Sequence, residues 1–200
     1  MGSDLSARPA AVARRAPMWF GPALVAVVCW VGGAHQRGPL AVFPEAQHLP
    51  LAWYVIEQAI AVAVTLAGIG AASVLLSGRV PPLRPTLAAV CDARYALALA
   101  AALASRAVVD SFLPAEPIKL GDHGLRLALS AGQYIWLAVL AAALVGLQFR
   151  AALRYLGPLR LCVPDGWRLA AAFIIMTVVG ELTGWMISLN LQYFFFWPPR

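Results

Sequence analysis

Four charged side chains lie inside long apolar runs of the sequence, and each could form an ion pair or carry protons or ions. They are Glu57, Asp92, Arg94 and Glu181. An ionisable group in hydrocarbon costs several kcal/mol, so each one needs an opposite charge, a water-filled cavity or a place near the surface. A buried carboxylate can form an ion pair that fixes helix packing, or it can carry protons or ions.

The deepest of these charges is Glu181, which lies about 18 Å along a helix that starts near Leu169. Residues at steps of three and four around it form one narrow polar or small-residue stripe, which we expect to face the interior of a bundle. The stripe consists of Thr177, Gly180, Glu181, Gly184, Ser188 and Gln192. Its GxxxG pattern lets a second helix approach closely.

Glu57 and Arg94 lie at depths from which each could meet Glu181. Glu57 comes about 9 Å after the start of its apolar run, on a face of small residues that includes Gly68. Arg94 comes about 13 Å into the next run, within reach of Glu181 for a long side chain. Asp92 is two residues away from Arg94, so the two side chains point to different faces of a helix.

Three interpretations of these charges remain open. The first is a buried ion pair between Arg94 and Glu181 that defines helix packing. The second is a proton or ion relay through Glu57, Asp92 and Glu181. The third is a cavity for a lipid headgroup or a partner helix. The fourth apolar run offers few polar residues over 133–148, which argues against a transport path.

The elements that must hold these residues are transmembrane helices. Hydrophobic residues make up 62% of the chain and charged residues 12%, against roughly 45–50% and 25% in soluble domains. We predict an all-α polytopic membrane bundle of five helices in one domain, residues 18–200, after a disordered basic tail, residues 1–17. The helices are predicted over about 18–34, 51–76, 85–109, 127–149 and 169–196.

The distribution of basic residues predicts which side each end faces. Nine lie in the N-terminal tail and in the second and fourth connections, and five lie in the other connections and at the C-terminus. Cytoplasmic loops carry the excess of Lys and Arg, so we predict a cytoplasmic N-terminus and an outer C-terminus. Two alternatives remain: cleavage of the first run as a signal peptide near Ala34, and myristoylation of Gly2.

Sequence motifs assign no catalytic residue, cofactor or metal ligand. The chain has no P-loop, GxGxxG, GxSxG or HExxH pattern. A surface metal site remains an alternative, because the histidines and several carboxylates fall in the predicted outer loops. These residues are His35, His48, His123, Glu45, Glu116 and Asp122. The three cysteines show no ligand spacing and are predicted to be small buried hydrophobic residues.

Two segments resemble the Yip1 family of five-helix membrane proteins. Leu75–Val90 is similar to the family's short turn after the second helix, with a glycine, a basic residue and then a Thr-Leu-x-x-Val entry into the third helix. Tyr134–Leu147 followed by Trp167–Ala172 is similar to its fourth helix and Ala-rich fifth helix. The resemblance implies a helical membrane module without catalytic residues, whose eukaryotic relatives act in vesicle trafficking through protein partners.

We therefore predict a non-catalytic integral membrane module that binds a partner protein or lipid and organises a membrane complex. Its expected partners are membrane lipids and a membrane protein or a second copy of the chain, and nucleic acid is not expected. The expected location is the cell membrane, a bacterial inner membrane on the Ala- and Arg-rich composition. The alternative is a small transporter or proton-coupled subunit that uses buried carboxylates, and a membrane enzyme with its site in the outer loops is less favoured.

Overall fold

The computed structural model describes residues 19–38, 42–44, 49–112, 130–164 and 166–196. The predicted disordered tail, residues 1–17, and most of the predicted third loop lie outside the described residues. The described chain folds into six α-helices and one two-stranded hairpin. Their order is α1 (Phe20–Gly32), β1 (Ala34–Gln36), β2 (Val42–Pro44), α2 (Leu51–Ser77), α3 (Leu83–Val90), α4 (Ala93–Asp110), α5 (Ala131–Arg160) and α6 (Trp167–Phe196).

Four stretches are long and apolar enough to cross a membrane. They are α2, α3 together with α4, α5, and α6. The first helix, α1, is equally apolar but has 13 residues, about 20 Å, which is shorter than the hydrocarbon core. The all-helical fold with long apolar helices is therefore confirmed, whereas the count of five crossings and the side of each end stay predictions.

The hairpin follows α1 directly, where the sequence predicts an outer loop. Gly33 ends α1 in the left-handed conformation, with φ of 58°, which glycine adopts without strain. The chain then turns into β1, which pairs antiparallel with β2 so that His35 lies opposite Phe43. All three residues of β1 are buried, and so is Gly38. The start of the predicted first connection therefore packs inside the bundle.

The predicted third span, 85–109, is broken after α3 rather than continuous. Asp92 has extended backbone angles, and its Oδ1 accepts a hydrogen bond from the Arg94 backbone N–H at 3.0 Å. Aspartate is a strong N-cap residue because its carboxylate satisfies a free N–H in the first turn. Asp92 therefore starts a new helix, α4, instead of lying as a buried charge inside one.

The fourth predicted helix continues 11 residues beyond its predicted end at Phe149, to Arg160. The sequence favours a connection from Arg150 onward because of its arginines and Gly157-Pro158. Arginine and alanine are good helix formers, however, and Pro158 lies near the end of α5, so the one backbone hydrogen bond that it removes is close to the helix terminus. At the other end, Ser130 and Gln133 form a capping box.

The helices pack in two pairs bridged by α1: α2 lies against α6, α4 lies against α5, and α1 contacts both α2 and α4. The core lies among these helices and holds many small and aromatic side chains. Its largest members include Tyr54, Ile69, Tyr95, Leu99, Tyr155 and Met176. The first half of α5 is mostly exposed.

Gly21 shows how tightly α1 docks on the break between α3 and α4. A Cβ added to Gly21 would fall onto the carbonyl group of Cys91. We expect Gly21→Ala to lower the free energy of unfolding by about 1–3 kcal/mol, because backbone must move to make room. Thermal unfolding in detergent measures this effect.

The matched control for this substitution is Gly146→Ala on α5, where an added Cβ meets nothing within 4 Å. Alanine is the better helix former, so this change should be neutral or stabilising by up to about 1 kcal/mol. Equal losses for both variants would contradict the docking contact.

Candidate functional site

Glu57 of α2 is the centre of a buried polar network, although the sequence offers it no obvious partner. Its side chain is 1% exposed, and its Oε2 lies 2.7 Å from Nδ1 of His35, which is 0% exposed. The His35 ring also stacks on Tyr54, with ring centroids 4.7 Å apart. The first residue pair of the network therefore joins β1 to α2.

The second carboxylate oxygen of Glu57 binds to the opposite helix. Ser188 of α6 donates its hydroxyl to Oε1 at 2.9 Å. The Nε of Arg37, just beyond β1, lies 3.7 Å from the same oxygen, and its Nη2 donates to Oε1 of Gln192 at 2.9 Å. One carboxylate thus holds the hairpin, α2 and α6 together.

A pair of amides extends the network along β1. Gln58 of α2 donates through Nε2 to Oε1 of Gln36 at 3.2 Å. Gln36 in turn donates to the carbonyl oxygen of Gly38 at 3.3 Å. Amide side chains both donate and accept, so they can bridge a strand and a helix without adding charge to an apolar interior.

Glycines allow the hairpin to enter this position. A Cβ on Gly184 of α6 would overlap the carbonyl oxygen of Arg37, and a Cβ on Gly38 would overlap the side chain of Glu181. The GxxxG pattern of α6 was expected to admit another helix, and at Gly184 it admits the backbone of the hairpin. Gly68 of α2 does pack against α6, because a Cβ added to Gly68 would lie 3.0 Å from Cγ of Met176.

The polar stripe of α6 faces the interior as the sequence predicts. The buried residues of α6 follow steps of three and four and include Gly180, Gly184, Ser188 and Gln192. Glu181 is half-buried at the edge of this stripe, against Gly38. The aliphatic residues opposite, such as Val178, are exposed.

The predicted ion pair between Arg94 and Glu181 is wrong. The side chain of Arg94 is 60% exposed, and its Nε lies 4.0 Å from Oδ1 of Asp92. The reason is the break before α4, which makes Asp92 a cap and carries both residues to the surface end of that helix. Of the four embedded charges, Glu57 is the one that the bundle encloses.

The histidines do not form the alternative metal site within the described residues. His35 was predicted in an outer loop and is instead fully buried, whereas His48 and His123 lie outside the described residues. The described part of the chain contains no group of three or more His, Cys, Asp or Glu side chains that could hold a metal ion. His35 and Glu57 instead form a buried hydrogen bond of 2.7 Å.

Comparison with family models, curated proteins and solved structures finds no match. The resemblance to the Yip1 family stays a prediction. We therefore infer function from the side-chain geometry.

Sequence reasoning missed His35 and Arg37, two of the three side chains that contact Glu57 in the network. One signal was present: α1 spans only 13 residues, so the polar residues that follow it start before a full crossing is complete. A polar segment at that depth must either face a cavity or be buried against other polar groups. Ser188 and Gln192 were foreseen as interior stripe residues, although not as partners of Glu57 and Arg37.

Arg154 is a second buried polar group, which lies between the predicted fourth and fifth helices. It is buried in α5, where Nη2 donates to the carbonyl of Val90 and the guanidinium lies 4.2 Å from the centre of the Tyr95 ring. Val90 ends α3, and a cation is favourable at the C-terminal end of a helix. Arg154 therefore fixes the break between α3 and α4 through a cation–π contact and a carbonyl contact.

We expect Glu57→Gln to lower the free energy of unfolding by about 3 kcal/mol. The substitution keeps the side-chain volume but removes the anion that faces His35, Ser188 and Arg37, and losing one member of a buried charged network is costly. Denaturation in detergent, followed by intrinsic fluorescence, measures the change.

The control carboxylate is Asp110, which is exposed and pairs with Arg106 at 3.1 Å. Asp110→Asn should change the free energy of unfolding by no more than about 0.5–1 kcal/mol, as is usual for surface ion pairs. A Glu57 variant as stable as the Asp110 variant would show that the network does not hold the hairpin.

Gly184→Ala should also be strongly destabilising, by about 2 kcal/mol or more, because the added methyl meets hairpin backbone. Gly70→Ala on α2 is its control, since an added Cβ there meets nothing within 4 Å. The double variant of Gly184→Ala with Glu57→Gln should lose less than the sum of the single losses, because either change releases the same hairpin. Additive losses would mean that the two residues act independently.

Proposed function

We propose that this protein is a non-catalytic integral membrane module that binds a partner protein or lipid and helps to organise a membrane complex. The observation that carries this proposal is the engagement of both oxygens of Glu57 by protein side chains. A carboxylate held in this way from two sides serves packing, because one oxygen binds the hairpin and the other binds α6.

A groove between α2 and α6 supports binding of a partner helix. It has a volume of about 410 Å³ and is lined on one side by Ala63, Ala67 and Ala71 and on the other by Gly180 and Thr183. The three alanines are exposed on α2 at steps of four. Small residues at such spacing let helix backbones approach closely in a membrane, where dispersion contacts drive association.

The proposed location is a cell membrane, on the evidence of the long apolar helices. The proposed orientation keeps the N-terminus on the cytoplasmic side. Gly21 at the start of α1 contacts Cys91, and the end containing this contact also holds the exposed Arg84 and Arg94. An excess of arginine marks the cytoplasmic side. A bacterial inner membrane and five crossings remain part of the proposal.

A proton-coupled membrane subunit is the second candidate, favoured by the contact between His35 and Glu57. Both side chains are of ionisable types, both are buried, and their polar atoms are 2.7 Å apart. Arg37 and Gln192 continue the polar contacts toward the end of α6. Buried ionisable residues in membrane helices often belong to proton pathways.

One set of experiments separates the two candidates. The protein should remain in the membrane fraction until detergent is added, and a purified complex or oligomer should be dissociated by Ala67→Trp, which fills the groove. Val145→Trp is the matched control, because Val145 is 70% exposed on α5, away from the groove. Size-exclusion chromatography with light scattering measures the mass of each variant.

Proteoliposomes test the transport alternative directly. In the module, an imposed pH gradient should decay no faster than in empty liposomes. A faster decay that Glu57→Gln abolishes, in protein that still folds, would reverse the ranking in favour of transport.

A further inference from the structure

A cleft lies between α4 and α5 and is closed on one side by β2. Its volume is about 290 Å³. Leucines line most of it, with Leu99 and Leu103 on α4 and Leu140 and Leu144 on α5, and Val42 of the hairpin is also in its wall. The buried polar network contributes no residue to this cleft, so the proposed role of that network leaves it unexplained.

The length of the cleft matches one leaflet of a bilayer. Its lining extends from residue 99 to residue 110 on α4 and from 137 to 147 on α5. Ten residues of helix span about 15 Å, which is half of a hydrocarbon core of about 30 Å. A cavity of this length and composition suits a single hydrocarbon chain that enters from one surface.

The mouth of the cleft carries one charge of each sign. Arg106 donates through Nε to Oδ2 of Asp110 at 3.1 Å, and the two side chains are 40% and 56% exposed. Both residues line the cleft. An exposed ion pair is worth little to stability, so these groups can exchange it for contacts with a ligand that itself carries both charges.

We propose that this cleft binds one acyl chain of a zwitterionic phospholipid, with its phosphate on Arg106 and its ammonium group on Asp110. Arginine matches the oxygens of a phosphate through several N–H donors, and a carboxylate matches an ammonium group. This proposal rests on the proposed membrane location, and it identifies the class of lipid that the proposed module would bind.

The mouth of the cleft carries two charges of opposite sign, which an apolar partner helix would leave unmatched. A free anion would use Arg106 and leave the leucine walls exposed. A phospholipid would do both: its acyl chain would contact the leucine walls, and its headgroup would bind the two charges at the mouth.

The test compares a variant that fills the cleft with one that points away from it. Ala102 is 3% exposed and lines the cleft, whereas Ala104 lies two residues along α4 and is exposed. Delipidated protein in detergent is mixed with phosphatidylethanolamine, and bound lipid is counted by native mass spectrometry. The wild type and Ala104→Leu should each retain one lipid per chain, and Ala102→Leu should lower the retained fraction at least about tenfold, because the added side chain occupies the space of the acyl chain.

A surface variant keeps the proposal testable if Ala102→Leu does not fold. Asp110→Asn should shift the preference from phosphatidylethanolamine toward phosphatidylglycerol, since it removes the partner of the ammonium group and leaves the partner of the phosphate. The preference is read from the ratio of the two lipids bound in an equimolar mixture.

Three outcomes would overturn the site: equal retention by the Ala102 and Ala104 variants, a lipid preference that ignores Asp110, or a second protein chain in place of lipid. A protein that leaves the membrane without detergent would instead overturn the proposed function. Failure of the site alone is therefore recognised by lost lipid retention in a chain that still requires detergent.

Discussion

The desolvation of one carboxylate constrains much of this structure. Glu57 is 1% exposed, and an ionised group in so apolar a bundle is stable only where donors replace its water shell. One donor comes from a helix: the hydroxyl of Ser188 on α6 donates to Glu57. His35 adds a hydrogen-bond partner at 2.7 Å, and Arg37 adds an ion-pair contact at 3.7 Å, so the segment after α1 must enter the bundle. The position of the hairpin is therefore a consequence of the charge on α2.

A strand inside such a bundle creates a second constraint, because its own N–H and C=O groups also need partners away from water. Pairing with β2 satisfies one edge of β1. The side chain of Gln58 binds that of Gln36, and Gly184 lets the backbone around Arg37 lie directly on α6. The short length of β1 also helps, since only three residues need partners for their backbone N–H and C=O groups.

The sequence predicts the parts of this fold that periodicity determines. The long helices and the inward stripe of α6 follow from residue spacing, and both are present. The network could not be predicted in full, because the side chains that it pairs come from residues 20 to 155 positions apart and hydrophobic patterns carry no such information. Arg94 shows the same limit. The apolar pattern predicts one continuous helix that holds Arg94 inside the bundle, whereas the N-cap at Asp92 starts a new helix and brings Arg94 to the surface.

The two buried cations of the bundle are stabilised by different means, and the difference bears on the proposed module. Arg37 faces a carboxylate and an amide between α2 and α6, whereas Arg154 faces the Tyr95 ring and the last carbonyl of α3. Each contact fixes an irregular piece of backbone, the hairpin in one case and the break before α4 in the other. The groove and the cleft lie on helices joined at these two places, so in the proposed module the polar contacts set the shape of the surfaces and the apolar surfaces bind. In the proposed module both arginines thus act on the protein itself, one at the hairpin and one at the break before α4.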